Sequence, residues 1–180
     1  MTINPPSFPS AYAVGMMKDG TAMSDKIKTS AELAPILASA RADDKRIVFT
    51  NGCFDLLHVG HTRYLQAAKT LGDVLVVGVN SDGSVRSLNK ASDRPIVGEA
   101  QRAEVLAALG CVDYVVIFSE PDPLKLIVAL QPDVLVKGGD WKLDNIVGRE
   151  VVEKRGGVVK TIPLVPGMST TALIHRIRTQ

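Results

Sequence analysis

Five short stretches rich in Val, Ile and Leu leave this chain few architectures to choose from. They are Ile47-Val48-Phe49-Thr50, Val74 to Val79, Tyr114 to Phe118, Val134 to Val136 and Val158 to Ile162. Apolarity in them is continuous rather than alternating, which marks strands buried on both faces, as in a parallel sheet covered by helices on each side. Segments of helical period lie between and after them, at about 61–71, 99–109, 122–130, 145–155 and 170–178. A shorter helix is expected ahead of the first strand, capped by Ser30, with Glu32 in its first turn and Leu33, Ile36 and Leu37 along one side. Strand and helix in alternation give a doubly wound α/β fold, a Rossmann-like parallel five-stranded sheet with helices on both faces. Ligands of such sheets sit at the carboxyl ends of the strands, near the point where the strand order reverses. A functional motif should therefore begin where a strand stops.

A chain of 180 residues holds one such domain, expected over 29–180, preceded by an irregular and flexible arm over 1–28 that mixes Pro, Gly, Ser, Met and Lys without period. The 21 basic and 19 acidic residues nearly cancel and no Lys/Arg block stands out, which argues against a nucleic-acid partner. Cys53 and Cys111 have neither CxxC spacing nor the numbers for a disulfide framework, so reduced thiols are expected. Neither a leader-like start nor an apolar run of membrane-spanning length is present, and the expectation is a soluble, cytoplasmic protein without a membrane partner.

The first strand runs into Asn51-Gly52-Cys53-Phe54-Asp55-Leu56-Leu57-His58-Val59-Gly60-His61. Gly52 and Gly60 let the backbone approach an anion, and the amides opening the next helix add a positive dipole end, which together make a phosphate cradle. Histidines at i and i+3 can share one side of a turn and donate to phosphate oxygens as charge builds on them. A lone histidine here would more simply cap the loop or sit satisfied in the core; two in this setting favour the functional reading. Zinc is not expected, since no third ligand stands at suitable spacing and His175 lies far along a helix. GxGxxG after the first strand and GxxxxGK[ST] are both missing, which sets aside the standard dinucleotide fold and the P-loop.

Thr50-Asn51-Gly52-Cys53-Phe54-Asp55 with His58-Val59-Gly60-His61 resembles the first signature of the HxGH cytidylyltransferase-like superfamily. Near the carboxyl end, Gly167-Met168-Ser169-Thr170-Thr171-Ala172-Leu173-Ile174 resembles its second, a Ser-Thr box. Ser169 or Thr170 is also an ordinary N-cap, and the two roles are compatible, because free helix amides and capping hydroxyls can hold phosphates. The resemblance implies in-line attack by a phosphorylated acceptor on the α-phosphorus of a nucleoside triphosphate, releasing pyrophosphate without a covalent intermediate. It implies catalytic roles for His58, His61 and Lys90, the last in the polar segment Leu88 to Ile96, where the family more often has Lys-Gly than Lys90-Ala91. It places Thr50, Asn51, Gly52, Cys53, Phe54, Gly60, Ser169, Thr170 and Thr171 along the nucleotide, and Asp55 against the acceptor. Asn80 and Asp82, closing the second strand on the ligand side, are weaker acceptor candidates, Asp82 being equally an N-cap. Arg102 is either a surface residue or an anion contact of the acceptor.

Val134 to Val136 is followed by Lys137-Gly138-Gly139-Asp140-Trp141, with glycines that allow close backbone approach. With Ile146-Val147-Gly148 and Gly156-Gly157, this segment resembles the adenylyltransferase half of ADP-heptose synthases, adding Gly138, Gly139 and Asp140 to the nucleotide site. The resemblance implies ATP and D-glycero-β-D-manno-heptose 1-phosphate as substrates, with ADP-heptose passing to the lipopolysaccharide inner core. It implies Mg²⁺ carried on the triphosphate with no metal ligand set of the protein's own, a heptose kinase as a separate protein, and symmetric homo-oligomers. The alternative is a CTP-dependent enzyme acting on glycerol 3-phosphate or a similar phospho-alcohol. Such relatives carry Arg-Thr-Glu-Gly where Leu164-Val165-Pro166-Gly167 stands here, which favours ATP.

Overall fold

The computed structural model describes residues 23–88 and 93–179. Its five strands, β1 (Ile47–Gly52), β2 (Val74–Asn80), β3 (Tyr114–Phe118), β4 (Val134–Gly138) and β5 (Val158–Ile162), cover the five expected runs. They form one parallel sheet in the order β3-β2-β1-β4-β5. Successive strands step outward from β1 to β3, and the chain then returns to lay β4 on the free side of β1. The order thus reverses between β1 and β4, where a doubly wound sheet opens a crevice.

Among the described residues seven helices accompany the sheet: α1 (Ser30–Ala42), α2 (Val59–Lys69), α3 (Asp82–Ser87), α4 (Glu99–Ala107), α5 (Leu124–Leu130), α6 (Arg149–Lys154) and α7 (Thr170–Arg178). Because strand side chains alternate, each central strand feeds two cores. Val48, Leu75, Val77, Val79 and Val136 pack with Leu65 of α2 and Leu106 of α4 on one face. Ile47, Phe49, Val76 and Leu135 pack with Leu37 of α1, Ile127 and Leu130 of α5 and Val152 of α6 on the other. This is the expected arrangement of helices on both faces. None of the described helices is long and apolar enough to cross a membrane.

Local chemistry moved several boundaries. α1 is capped by Thr29 instead of Ser30: the Glu32 amide donates to Thr29 Oγ1 at 3.2 Å and the Thr29 amide to Glu32 Oε2 at 2.7 Å. A capping box needs its hydroxyl three residues ahead of the glutamate, which selects position 29. The helix expected over 145–155 is divided into a 3-10 turn at Leu143–Asn145 and α6, with Gly148 at φ +88° between them. A Cβ on Gly148 would also lie 2.5 Å from Ile127 Cδ1. α3 was not expected, and α2 begins at Val59, so both residues after the first histidine belong to its first turn. Of the expected arm, residues 1–22 lie outside the described ones. Its end is tied to the edge of the sheet: Lys26 Nζ donates to the Val112 carbonyl at 2.8 Å, and Ile27 bridges to Val115 in parallel.

Candidate active site

The crevice over the carboxyl ends of β1 and β4 holds a cavity of about 330 Å³. Its first wall is the β1–α2 connection. Asn51, Gly52 and Cys53 line it, while Thr50 lies beneath, fully buried, with Oγ1 2.7 Å from the Tyr64 hydroxyl. Burial holds the Tyr64 phenol far above its ordinary range, so this pair stays neutral and braces the floor. Phe54 turns the chain at φ +48°, a conformation sparsely populated for a bulky residue. Its ring then stands edge-on to His61, with centroids 5.4 Å apart.

His58 is the N-cap of α2: its Nδ1 accepts the Gly60 amide at 3.1 Å, so neutral His58 carries its proton on Nε2. The His61 ring stacks on it at 3.9 Å between centroids and 25° between planes. Gly60 leaves room for this. A Cβ there would be 2.8 Å from Cε1 and Nδ1 of His58, and Gly60→Ala is expected to displace the cap and cost about 1–3 kcal/mol, read as a lower denaturant midpoint at unchanged slope.

Burial lowers both imidazoles, His61 from 6.5 to about 4, with the neighbouring His58 charge adding to the effect and the Leu56 carbonyl opposing it. Two neutral rings at pH 7 can each present an N–H to an anion without repelling one another. Since the folded value lies below the unfolded one, the unfolded chain binds the extra proton first, and His61 withdraws stability as pH falls from 6.5 toward 4. The loss is bounded at about 3 kcal/mol and reduced by solvent screening, as the ring is only partly buried. His61→Ala is expected to flatten this acid limb in urea midpoints measured between pH 4 and 7.

The second wall comes from β4. Lys137 Nζ donates to Asn51 Oδ1 at 2.5 Å, joining the two central strand ends, and lies 5.5 Å from the Trp141 ring centroid. Gly138 and Asp140 line the cavity, and a Cβ on Gly138 would meet Asp140 Oδ1 at 2.6 Å. Gly139 is turned away and donates its amide to the Ile162 carbonyl at 2.8 Å, fastening the end of β4 to β5. The third wall is the approach to α7. Ser169 caps this helix by accepting the Ala172 amide at 3.1 Å, and Thr170 Oγ1 donates to the Leu56 carbonyl at 3.4 Å. Both line the cavity, whereas Thr171 is exposed beyond it. The amino ends of α2 and α7 thus open on one space, with Leu164, Val165 and Met168 as an apolar flank.

Sequence reasoning missed Tyr64 and Lys137. A tyrosine within a helical period reads as core, and a lysine directly after an apolar strand reads as its solvated end.

Three residues expected to meet an acceptor are placed elsewhere. Asp55 is 3% exposed and accepts the Ile96 and Val97 amides, each at 2.8 Å, while pairing with Arg94. Arg102, 1% exposed, is neither a surface residue nor an open anion contact. It donates to the carbonyls of Val97, Cys53 and Asn80 at 2.8, 2.5 and 2.8 Å and to Asp82 Oδ1 at 2.7 Å. Asp82 is thereby engaged, and the cap of α3 is Ser81. Asn80 does reach a cavity, a second one of about 290 Å³ beside the first. Lys90 lies outside the described residues. Among the described residues no three His, Cys, Asp or Glu side chains gather as a metal cage.

Known proteins resemble this chain in sequence and fold. The cytidylyltransferase-like family model matches residues 49–176, from β1 through most of α7. The bifunctional protein HldE of Geotalea uraniireducens is 60% identical over 154 residues, 86% of this chain and 31% of that protein. The same-named protein of Geobacter metallireducens is 55% identical over 168 residues, 93% of this chain and 34% of its own length. The chain therefore spans about a third of the curated relatives it matches. Among solved structures, a lipopolysaccharide core biosynthesis protein from Thermoplasma volcanium superposes with a TM-score of 0.57 at 34% identity, covering 67% of this chain and 97% of that one. A pantoate-beta-alanine ligase from Francisella tularensis, 18% identical with a TM-score of 0.58, covers 86% of this chain and 79% of its own and shares the fold. With both signatures gathered on one crevice and the family model spanning nearly the whole sheet, the chain belongs to the cytidylyltransferase-like family.

Proposed function

We propose that this chain is a nucleotidyltransferase that moves AMP from ATP to D-glycero-β-D-manno-heptose 1-phosphate, forming ADP-heptose and pyrophosphate for the lipopolysaccharide inner core. The observation that carries the reaction class is the stacked, neutral His58–His61 pair set between the amino ends of α2 and α7. An acceptor phosphate oxygen attacks the α-phosphorus; one P–O bond forms as the bond to the β-phosphate breaks, and negative charge grows on the oxygens around it. His58 Nε2–H is a donor that needs no reorganisation as that charge appears, and His61 stands beside it for the same task. The amides of α2 and α7, with Ser169 and Thr170, suit the leaving pyrophosphate.

The apolar flank of Leu164, Val165 and Met168 supports ATP, since it offers a purine face contact without demanding hydrogen bonds. The heptose assignment rests on the resemblance at Lys137 to Trp141 and on the structural relative named for lipopolysaccharide core biosynthesis. Lys90 supplies a cation to the phosphates in this reading, and a sugar kinase would supply the acceptor. Mg²⁺ fits as a passenger of the triphosphate; Asp140 is the carboxylate among the described residues lining the first cavity and would help hold it, and the ion would neutralise charge on the pyrophosphate oxygens. Pyrophosphate release measured with ATP and with CTP, each with heptose 1-phosphate, tests the proposal. Turnover with ATP is expected; turnover with CTP and none with ATP would overturn it.

A further inference from the structure

Resting on the nucleotidyltransferase reading, we propose that Arg94 and Asp55 are positioning residues for the reaction: without touching substrate, they lock the Phe54 turn that holds the His61 ring in place beside His58.

Both residues stand outside the lining of the two cavities. The Asp55 side chain is wholly buried and that of Arg94 nearly so, and the two form an ion pair. Such a pair adds little stability over apolar side chains of similar size, so what it fixes is geometry. The geometry concerns the residue before it. Phe54 holds φ +48°, and a bulky residue keeps such a backbone only where its surroundings over-determine it. Here they do so from both sides. Ahead of Phe54, Arg102 Nη1 donates to the Cys53 carbonyl at 2.5 Å. Behind it, Asp55 Oδ1 accepts the Ile96 and Val97 amides while Arg94 holds Oδ2.

The clamp ends on the histidine pair. With the turn fixed, the Phe54 ring is fitted between Gly52, where a Cβ would lie 3.1 Å from its Cε2, and His61, which it meets edge-on. His61 in turn stacks on His58. Any rotation of the Phe54 turn therefore moves the support on one side of His61. The clamping segment is itself anchored at both ends: Asp93 pairs with Arg178 at the end of α7, and Glu99 Oε2 accepts the Asp82 amide at 2.6 Å. Misplacing a reacting group by about 1 Å can cost on the order of 10²-fold in rate. The amino ends of α2 and α7 are capped by His58 and Ser169, contacts the pair does not touch, so nucleotide affinity should not follow the loss of rate.

The test uses the double variant Asp55→Asn/Arg94→Met, which removes both charges and keeps an oxygen for the two amides. Asp55→Asn alone, which is isosteric, carries the same readouts should the double variant fail to fold. The measurements are kcat and KM from pyrophosphate release with ATP and heptose 1-phosphate, and histidine NMR between about pH 5 and 8. Affinity for α,β-methylene-ATP is read from the fluorescence of Trp141, the single tryptophan of the chain, which lines the first cavity. We expect kcat to fall about tenfold or more while KM and analogue affinity stay within about threefold. The His61 signal, which burial keeps from titrating in this window in the wild type, should begin to titrate as the ring gains water. Folded variants with wild-type kcat, or with kcat and analogue affinity lowered equally and His61 unmoved, would overturn the proposal. A wild type that binds the analogue without turnover, while the variants release His61 to titrate, would keep the positioning pair and remove the adenylyltransferase reading.

Discussion

His61→Ala is expected to lower kcat by about 10²-fold or more while leaving nucleotide affinity within a few fold. The asymmetry follows from where the charge is. In the proposed reaction helix amides and hydroxyls would already grip the bound triphosphate, whereas an imidazole N–H at the α-phosphate would strengthen only as the displacement proceeds. His61 is also the better of the two histidines to remove. His58→Ala would take away the N-cap of α2 as well, worth about 1 kcal/mol, and mix a folding defect into the rate. The check is kcat from pyrophosphate release together with the affinity for α,β-methylene-ATP from Trp141 fluorescence. An unchanged kcat would remove His61 from the reaction, and a parallel loss of affinity would make it a ground-state contact.

Arg102→Ala should be the most damaging change to stability, about 3–5 kcal/mol. The guanidinium closes three carbonyls and one carboxylate from different segments: Cys53 just past β1, Asn80 at the end of β2, Val97 two residues ahead of α4, and Asp82 at the start of α3. Removing it leaves those acceptors buried or half-buried without donors, each costing about 1–3 kcal/mol before relaxation. Arg102→Lys should fail nearly as badly, because an ammonium cannot span a planar fork of carbonyls on several sides. Denaturant midpoints read both. A loss below about 1 kcal/mol for Arg102→Ala would show that these contacts are replaced by water.

The sheet was legible because its inner strands β1, β2 and β4 are buried on both faces, which writes itself as runs of Val, Ile and Leu, whereas the edge strand β5, VVKTI, is only partly covered. The HxGH connection was legible for a different reason: glycine, histidine and hydroxyl residues at a strand end serve the backbone and the ligand together, as the Gly60 amide on His58 Nδ1 illustrates. Charged side chains were the opposite case. Asp55 beside a catalytic motif looks like a sugar ligand, yet its carboxylate is spent on two amides and Arg94, partners some forty positions away. Arg102 in the first turn of a helix looks solvated, and only the fold shows that this turn faces inward. α3 escaped notice since six residues, DGSVRS, carry too little period to outweigh their turn-forming character.

The Thr170 hydroxyl reaches the Leu56 carbonyl across 114 positions of sequence, and that single span has a kinetic meaning. Pairing of β1 with β2 is comparatively local, but the crevice has no far wall until β4 joins β1 and the α7 approach settles on the first loop. Pairings of such separation form late, after the entropy of closing the intervening chain has been met. A ligand that needs all three walls therefore recognises only the finished chain. At a hundred times its dissociation constant it adds about 2.7 kcal/mol against complete unfolding. Nicking near Met168 is expected to weaken that protection while the sheet still stands, read as a loss of ligand-induced resistance to proteolysis.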